Sequence, residues 1–307
     1  DNIKVESDAY WNNDGIDIVD CHNVQITNSF VNAADDGICL KSETAGYLVD
    51  SVYIANCTVR SSASAVKFGT SSVGGFRNVI IKNIKVFDTF RSAIAIKSVD
   101  GGILENVLVG GSNATNTGNA IFIRLGHRNK DNHVGNLRNV VIKNVKVQVP
   151  FGRPDKNYDL RGPALPFFHN TFPASIVGIP GHNVENVTLE NIEIDYPGKG
   201  NDGLAVLPLY RLETVPEVEK EYPEFSMFGE LPAWGFYVRH VKGLTMKNIV
   251  IKAREKDYRP ACVFDDVANL KLEKFTVQEN DTDKQFILKD VKDAHLNVDS
   301  SLVKVIN

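Results

Sequence analysis

Cysteine is scarce in this chain and carries no motif. The four thiols, Cys21, Cys39, Cys57 and Cys262, show no CxxC spacing, which argues against a zinc ribbon or a thioredoxin-type redox pair and leaves filling of the core or of packed turns as their expected role. No apolar run approaches the roughly 20 residues of a membrane span, so no membrane insertion is expected. A helical periodicity of useful length is missing too. An excess of one charge is absent: a formal net charge of -4 gives no reason to expect nucleic acid or an anionic membrane as partner. Histidines and acids form no cluster with metal-ligand spacing, so neither a metal nor any other cofactor is expected.

What the chain does have is a repeat. The segments Asp14 to Ile18, Asp36 to Leu40, Ser64 to Phe68, Ser92 to Ile96 and Asn119 to Ile123 each read polar, small, apolar, variable, apolar, and their first residues stand 22, 28, 28 and 27 positions apart. A second register runs through His22 to Asn28, Asp50 to Asn56, Arg77 to Asn83 and Arg138 to Asn144, and continues near Val184 to Asn191, Leu244 to Asn248 and Leu270 to Lys274. Val and Ile alternating with polar residues make half-buried strands. The closing asparagines (Asn28, Asn56, Asn83, Asn144, Asn191, Asn248) suit a tight left-handed turn and are expected to stack as a ladder. One short supersecondary unit stacked on the next is a solenoid. The expected fold is all-β: a single-stranded right-handed parallel β-helix with long loop insertions, forming one domain over residues 1–307. A β-propeller is the runner-up, but its blades of about 40 to 50 residues match the spacing poorly.

Regularity breaks at about 150–179 and 198–234, where Pro, Gly and aromatics gather. Long loops on a rigid scaffold commonly carry specificity. Asp1 begins inside strand-like sequence with no capping unit, so the chain is expected to be a processed or partial version that lacks N-terminal coils of a longer protein.

If successive coils pair as parallel strands about 4.8 Å apart, the carboxylates of Asp14 and Asp36 are stacked, with Asp35 beside them. Like charges that close raise at least one pKa, an arrangement suited to acid/base work. The bland alternative is that these residues only cap turns or hydrogen-bond loop amides, Asp-Gly being a common turn pair. Third and fifth positions of the aligned strand face the core, so fourth and sixth positions face outward. That outward face carries Lys41, Lys67, Lys97 and Arg124, which either solubilise it or pair with an acidic ligand in a groove.

These residues resemble glycoside hydrolase family 28, the polygalacturonase-type pectinases, over nearly the whole chain. The family's Asn-Thr-Asp motif stands here as Asn12-Asn13-Asp14, followed by Gly15-Ile16-Asp17, and its paired aspartates stand as Asp35-Asp36-Gly37. The stretches Gly178 to His182 and Tyr237 to His240 look like those of bacterial members. Two departures accompany them: Ala63-Ser64-Ala65 replaces Gly-His-Gly, and Ala95-Ile96-Lys97 replaces Arg-Ile-Lys. The resemblance implies an inverting hydrolase in which Asp35 protonates the departing glycosidic oxygen while Asp14 and Asp36 activate water. It implies a pectin-like or other acidic polysaccharide as substrate, and the departures together with the large loops suggest a pocket that takes chain ends, hence exo action on galacturonide or a related sugar.

Expected substrate-binding residues are Lys67, Lys97, Arg124, His127, Arg128 and His169, with His127 or His169 as a stand-in for the missing family histidine. Tyr210, Trp234, Phe167 and Phe168 are candidates for stacking on sugar rings or, more blandly, for packing under loops. The competing readings are a polysaccharide lyase on the same fold and a non-catalytic carbohydrate-binding solenoid. The expected setting is a monomer, secreted or periplasmic.

Overall fold

The computed structural model describes residues 1–158, 167, 169–201, 207–278 and 283–306. The protein is almost all β, and its strands join one 19-stranded sheet in which every strand-to-strand pairing is parallel. Antiparallel blades, as a propeller requires, do not occur among the described residues.

Three ladders run through the sheet, and each pass of the chain contributes a strand to each. Lys4–Ser7 pairs with Phe30–Ala33, which pairs with Thr58–Ser61. Ile16–Val19 pairs with Ile38–Ser42, and that strand with Val66–Ser72. His22–Thr27 pairs with Val49–Ala55, then with Gly75–Lys82. Further along, the strands fuse into longer ones that turn from one ladder into the next, as in Lys85–Ser98 and Ile103–Leu125. The expected register holds residue for residue: Ile16 lies against Ile38, Ile38 against Val66, Val66 against Ile94, and Ile94 against Ile121.

Two apolar layers lie on the two faces of the second ladder. Third and fifth positions (Ile38, Leu40, Val66, Phe68, Ile94, Ile96) belong to the long central core. On the outer face, Phe122, Val177, Tyr237, Val263 and Ile287 form a second cluster with Leu212, Phe225, Phe228 and Leu231. The segment from Leu207 to Ala233, which includes the short 3-10 helix Leu209–Thr214, therefore packs over this face. The earlier break is shorter than its sequence implies, because Ala174–Val177 is a strand of the same ladder, paired with Phe122 to Arg124 and with Phe236 to Arg239. Cys39, Cys57 and Cys262 are buried as expected, whereas Cys21 is exposed; all four are free thiols.

The asparagine ladder forms. Asn28, Asn56 and Asn83 all have φ between 52° and 56°, and each side-chain amide donates to the carbonyl of the one before: Asn56 to Asn28 at 3.3 Å, Asn83 to Asn56 at 3.1 Å. The chain resumes with Asn191 to Asn144 at 2.8 Å and Asn248 to Asn191 at 2.7 Å. Gly111 (φ 68°) stands between the two runs, and a Cβ there would meet Asn83 Oδ1 at 2.5 Å. Replacing Asn56 by Ala removes two amide bonds and leaves in the left-handed turn a Cβ without the short polar side chain that makes the region tolerable for asparagine, so a loss of about 1–2 kcal/mol is expected in denaturant titration. Asn56→Gly removes the same bonds without the backbone strain and is expected to cost less; equal losses for the two would refute this account of the turn.

Candidate active site

The three acids come together at the edge where the second ladder begins. Oδ1 of Asp14 accepts from the backbone N–H of Asp36 at 3.1 Å, and Oδ1 of Asp36 accepts from that of Ser64 at 3.1 Å. Each carboxylate thus tethers the next pass of chain. Carboxylate oxygens of Asp14 and Asp36 and the Sγ of Cys39 lie within 4.8 Å of one another. Asp36 is buried, Asp14 and Asp35 half-buried.

Neither Gly15 nor Gly37 has positive φ. Their lack of a side chain answers close packing instead: a Cβ on Gly37 would meet Val59 Cγ1 at 2.3 Å and the Ala65 carbonyl oxygen at 2.7 Å, and one on Gly15 would meet Val31 Cγ1 at 2.2 Å. The Asp-Gly pairs are sites of tight approach between passes, and the backbone amide bonds of the bland alternative are also made, by Asp14 and Asp36.

Lysines from the following pass neutralise two of the acids. Lys41 Nζ donates to Asp14 Oδ2 and Asp17 Oδ2, both at 2.6 Å. Lys67 Nζ donates to Asp36 Oδ2 in a short buried pair and to Tyr222 Oη at 3.2 Å. The pKa values diverge accordingly. Burial alone would raise Asp36, but the Lys67 and Lys97 ammonium groups outweigh it and hold its carboxyl below the usual range. Asp14 is raised by burial and by Asp36, against the pull of Lys41. Asp35 is pushed up to about 6, by burial first and then by Asp36 and Asp14. The proton expected from packing like charges together settles on Asp35.

The second layer over the sheet changes the standing of the outward cations. Lys67 and Lys97 are 4% and 1% exposed and Arg124 is fully buried, where an open groove was expected. Lys97 Nζ donates to the Pro223 carbonyl at 3.2 Å and lies under the Tyr222 ring, as does Lys67. Arg124 donates to the carbonyls of Gly178 (2.8 Å) and Glu217 (2.7 Å) and sits against the Phe228 ring, clamping the covering segment to the sheet. Arg128 is held bidentately by Asp100 at 2.8 and 2.9 Å. His127 Nε2 bonds the Asp131 carbonyl at 2.7 Å. His169, 6% exposed, pairs with Glu230 at 2.9 Å between the Phe151 and Phe172 rings. Nearby Asn170 contacts Gly118, about three strand spacings along the ladder from Asp36.

Trp234 is buried against Tyr196, Phe167 packs on Phe172, and Tyr210 is exposed. Phe168 lies outside the described residues. Sequence reasoning passed over Arg91, whose guanidinium pairs with Glu224 at 2.8 Å, and Tyr222, which touches both buried lysines. For a metal, Asp14, Asp36 and Cys39 are close enough, but both carboxylates already face ammonium groups and burial, ahead of Asp36, keeps the Cys39 thiol protonated.

Because folding raises Asp35 above its usual 3.8, its contribution to stability is full below about pH 4 and is lost as pH rises through about 6. Asp35→Asn removes that load. The variant is expected to be more stable than the parent at pH 8, by on the order of 2 kcal/mol, with no gain at pH 3.5; a thermal melt at the two pH values checks it, and an equal stability at pH 8 would show that Asp35 carries no such strain. No family model, curated protein or solved structure matches the chain.

Proposed function

We propose that the chain is a right-handed parallel β-helix that hydrolyses a glycosidic bond in a pectin-like polysaccharide with inversion, exo action being the mode that its bulky covering segment favours. The three parallel ladders support the fold. The observation that carries the activity is the split within one carboxylate cluster: Asp36 and Asp14 are held by lysines, while Asp35, without an ion-pair partner among the described contacts, keeps its proton to about pH 6. Two titratable groups pushed apart in this way are what acid and base roles need. The Asn12-Asn13-Asp14 and Asp35-Asp36-Gly37 motifs, with their likeness to glycoside hydrolase family 28, support the same division of labour.

In this reading Asp35 donates its proton to the departing glycosidic oxygen as the bond to the anomeric carbon breaks. Asp14 and Asp36, ionised and fixed by backbone N–H groups and lysines, orient a water and accept its proton as it attacks the opposite face. The sugar is released with inverted configuration. Lys67, with Lys97, keeps Asp36 anionic, while Lys41 pulls against the burial and the Asp36 charge that raise Asp14.

Removing the acid is expected to lower turnover by about 10²–10⁴-fold in Asp35→Asn, with the fold intact. For the parent, kcat/KM should decline as pH rises through about 6. NMR of the first-formed product reads the anomer, and ultraviolet absorbance tests for an unsaturated uronide. A retained anomer contradicts the single displacement, an unsaturated product means a lyase, and unchanged turnover in Asp35→Asn means that the acid lies elsewhere.

A further inference from the structure

The side chains beside the acids form a closed set of ion pairs. Lys41 is shared by Asp14 and Asp17, Lys67 is bound to Asp36, and Arg91 is bound to Glu224. Lys97 remains, and it is 1% exposed, bonded to the Pro223 carbonyl and shielded by the Tyr222 ring at 5.7 Å. Burial, then the neighbouring Lys67, pulls it down to about 7, so its ammonium charge is half lost near neutrality. No cation in this set is offered to a ligand. What is offered is Tyr222: 47% exposed, its hydroxyl on Lys67 and its ring over both ammonium groups. An aromatic face at a sugar site takes C–H surface, not a carboxylate. With Asp35 protonated, the acids Asp14, Asp17, Asp36 and Glu224 balance the cations Lys41, Lys67, Lys97 and Arg91 one for one. A uronate brought here would find no uncompensated cation, and burying a carboxylate without a partner is costly.

Resting on the hydrolase reading, we infer that the sugar unit seated against Tyr222 is an uncharged one, a neutral or esterified residue of the polysaccharide, and that Tyr222 is the residue that denies Lys67 and Lys97 to a carboxylate. The segment Tyr222-Pro223-Glu224 thus acts as a specificity wall. It replaces a pair of exposed cations by an aromatic surface and closes the third cation, Arg91, with its own glutamate.

Two probes of equal length and linkage test this: an oligogalacturonide with free carboxylates and its fully methyl-esterified form, each titrated calorimetrically into Asp35→Asn protein so that binding is read without turnover. Losing the Asp35 charge favours the free acid, which makes the comparison a stringent one. The ester is expected to bind at least about tenfold more tightly. Tyr222→Ala in the same background is expected to erase or reverse that preference, and Tyr222→Phe, which keeps the ring, to preserve it. Should Tyr222→Ala lose its melting transition, Tyr222→Leu keeps bulk and removes the aromatic face. Tighter binding of the free acid, an unchanged ratio after the ring is removed, or binding of neither probe overturns the inference. Failure of the hydrolase reading is seen separately, as equal product release by the parent and Asp35→Asn proteins whatever the binding ratio.

Discussion

Parallel pairing of each pass of the chain on the one before is the constraint on which the rest of the structure depends. It sets equivalent residues about 4.8 Å apart, so any residue type repeated at one position must live with its own copy. Asparagine does so without help, because its amide both donates and accepts, and the columns Asn28-Asn56-Asn83 and Asn144-Asn191-Asn248 bond head to tail. Aspartate only accepts. A column of Asp14 and Asp36 therefore requires outside donors, which come from the backbone N–H of the next pass and from a lysine one pass further on: Lys41 reaches back to Asp14, Lys67 to Asp36. Asp35, one residue out of the column, has no lysine partner among the described residues, and burial, then the charges of Asp36 and Asp14, raise its pKa.

This is also why so much could be read from the sequence. The period-two alternation and the recurrence of Asp-Gly-Ile against Ser-Ala-Val fix which residues are stacked, and the pairing of Asp17 with Cys39 and of Cys39 with Lys67 is the one the alignment predicts. The covering segment lacks any such repeat. Nothing local ties Tyr222 to Lys67, 155 residues away, so the outward cations read as an open groove. One signal was present. In the outward column that starts at Phe122, Ser175 is followed by Tyr237, Val263 and Ile287, and an apolar outward position marks a covered rung.

The same cations that would suit an acidic ligand hold the protein's own loop. Arg124 and Arg239 bind the carbonyls of Glu217 and Val215, and Arg239 also pairs with the Glu217 carboxylate at 2.7 Å. His240 bridges Glu217 and Asp266; burial alone would lower its pKa, but those two carboxylates raise it. At the near end, Lys67, Lys97 and Arg91 hold Tyr222, Pro223 and Glu224. A buried charge loses several kcal/mol when its partner leaves, so a segment fastened at both ends by such contacts is held in place before any ligand arrives. The wall beside the acids is consequently a fixed part of the site, and a ligand must fit the surface it presents.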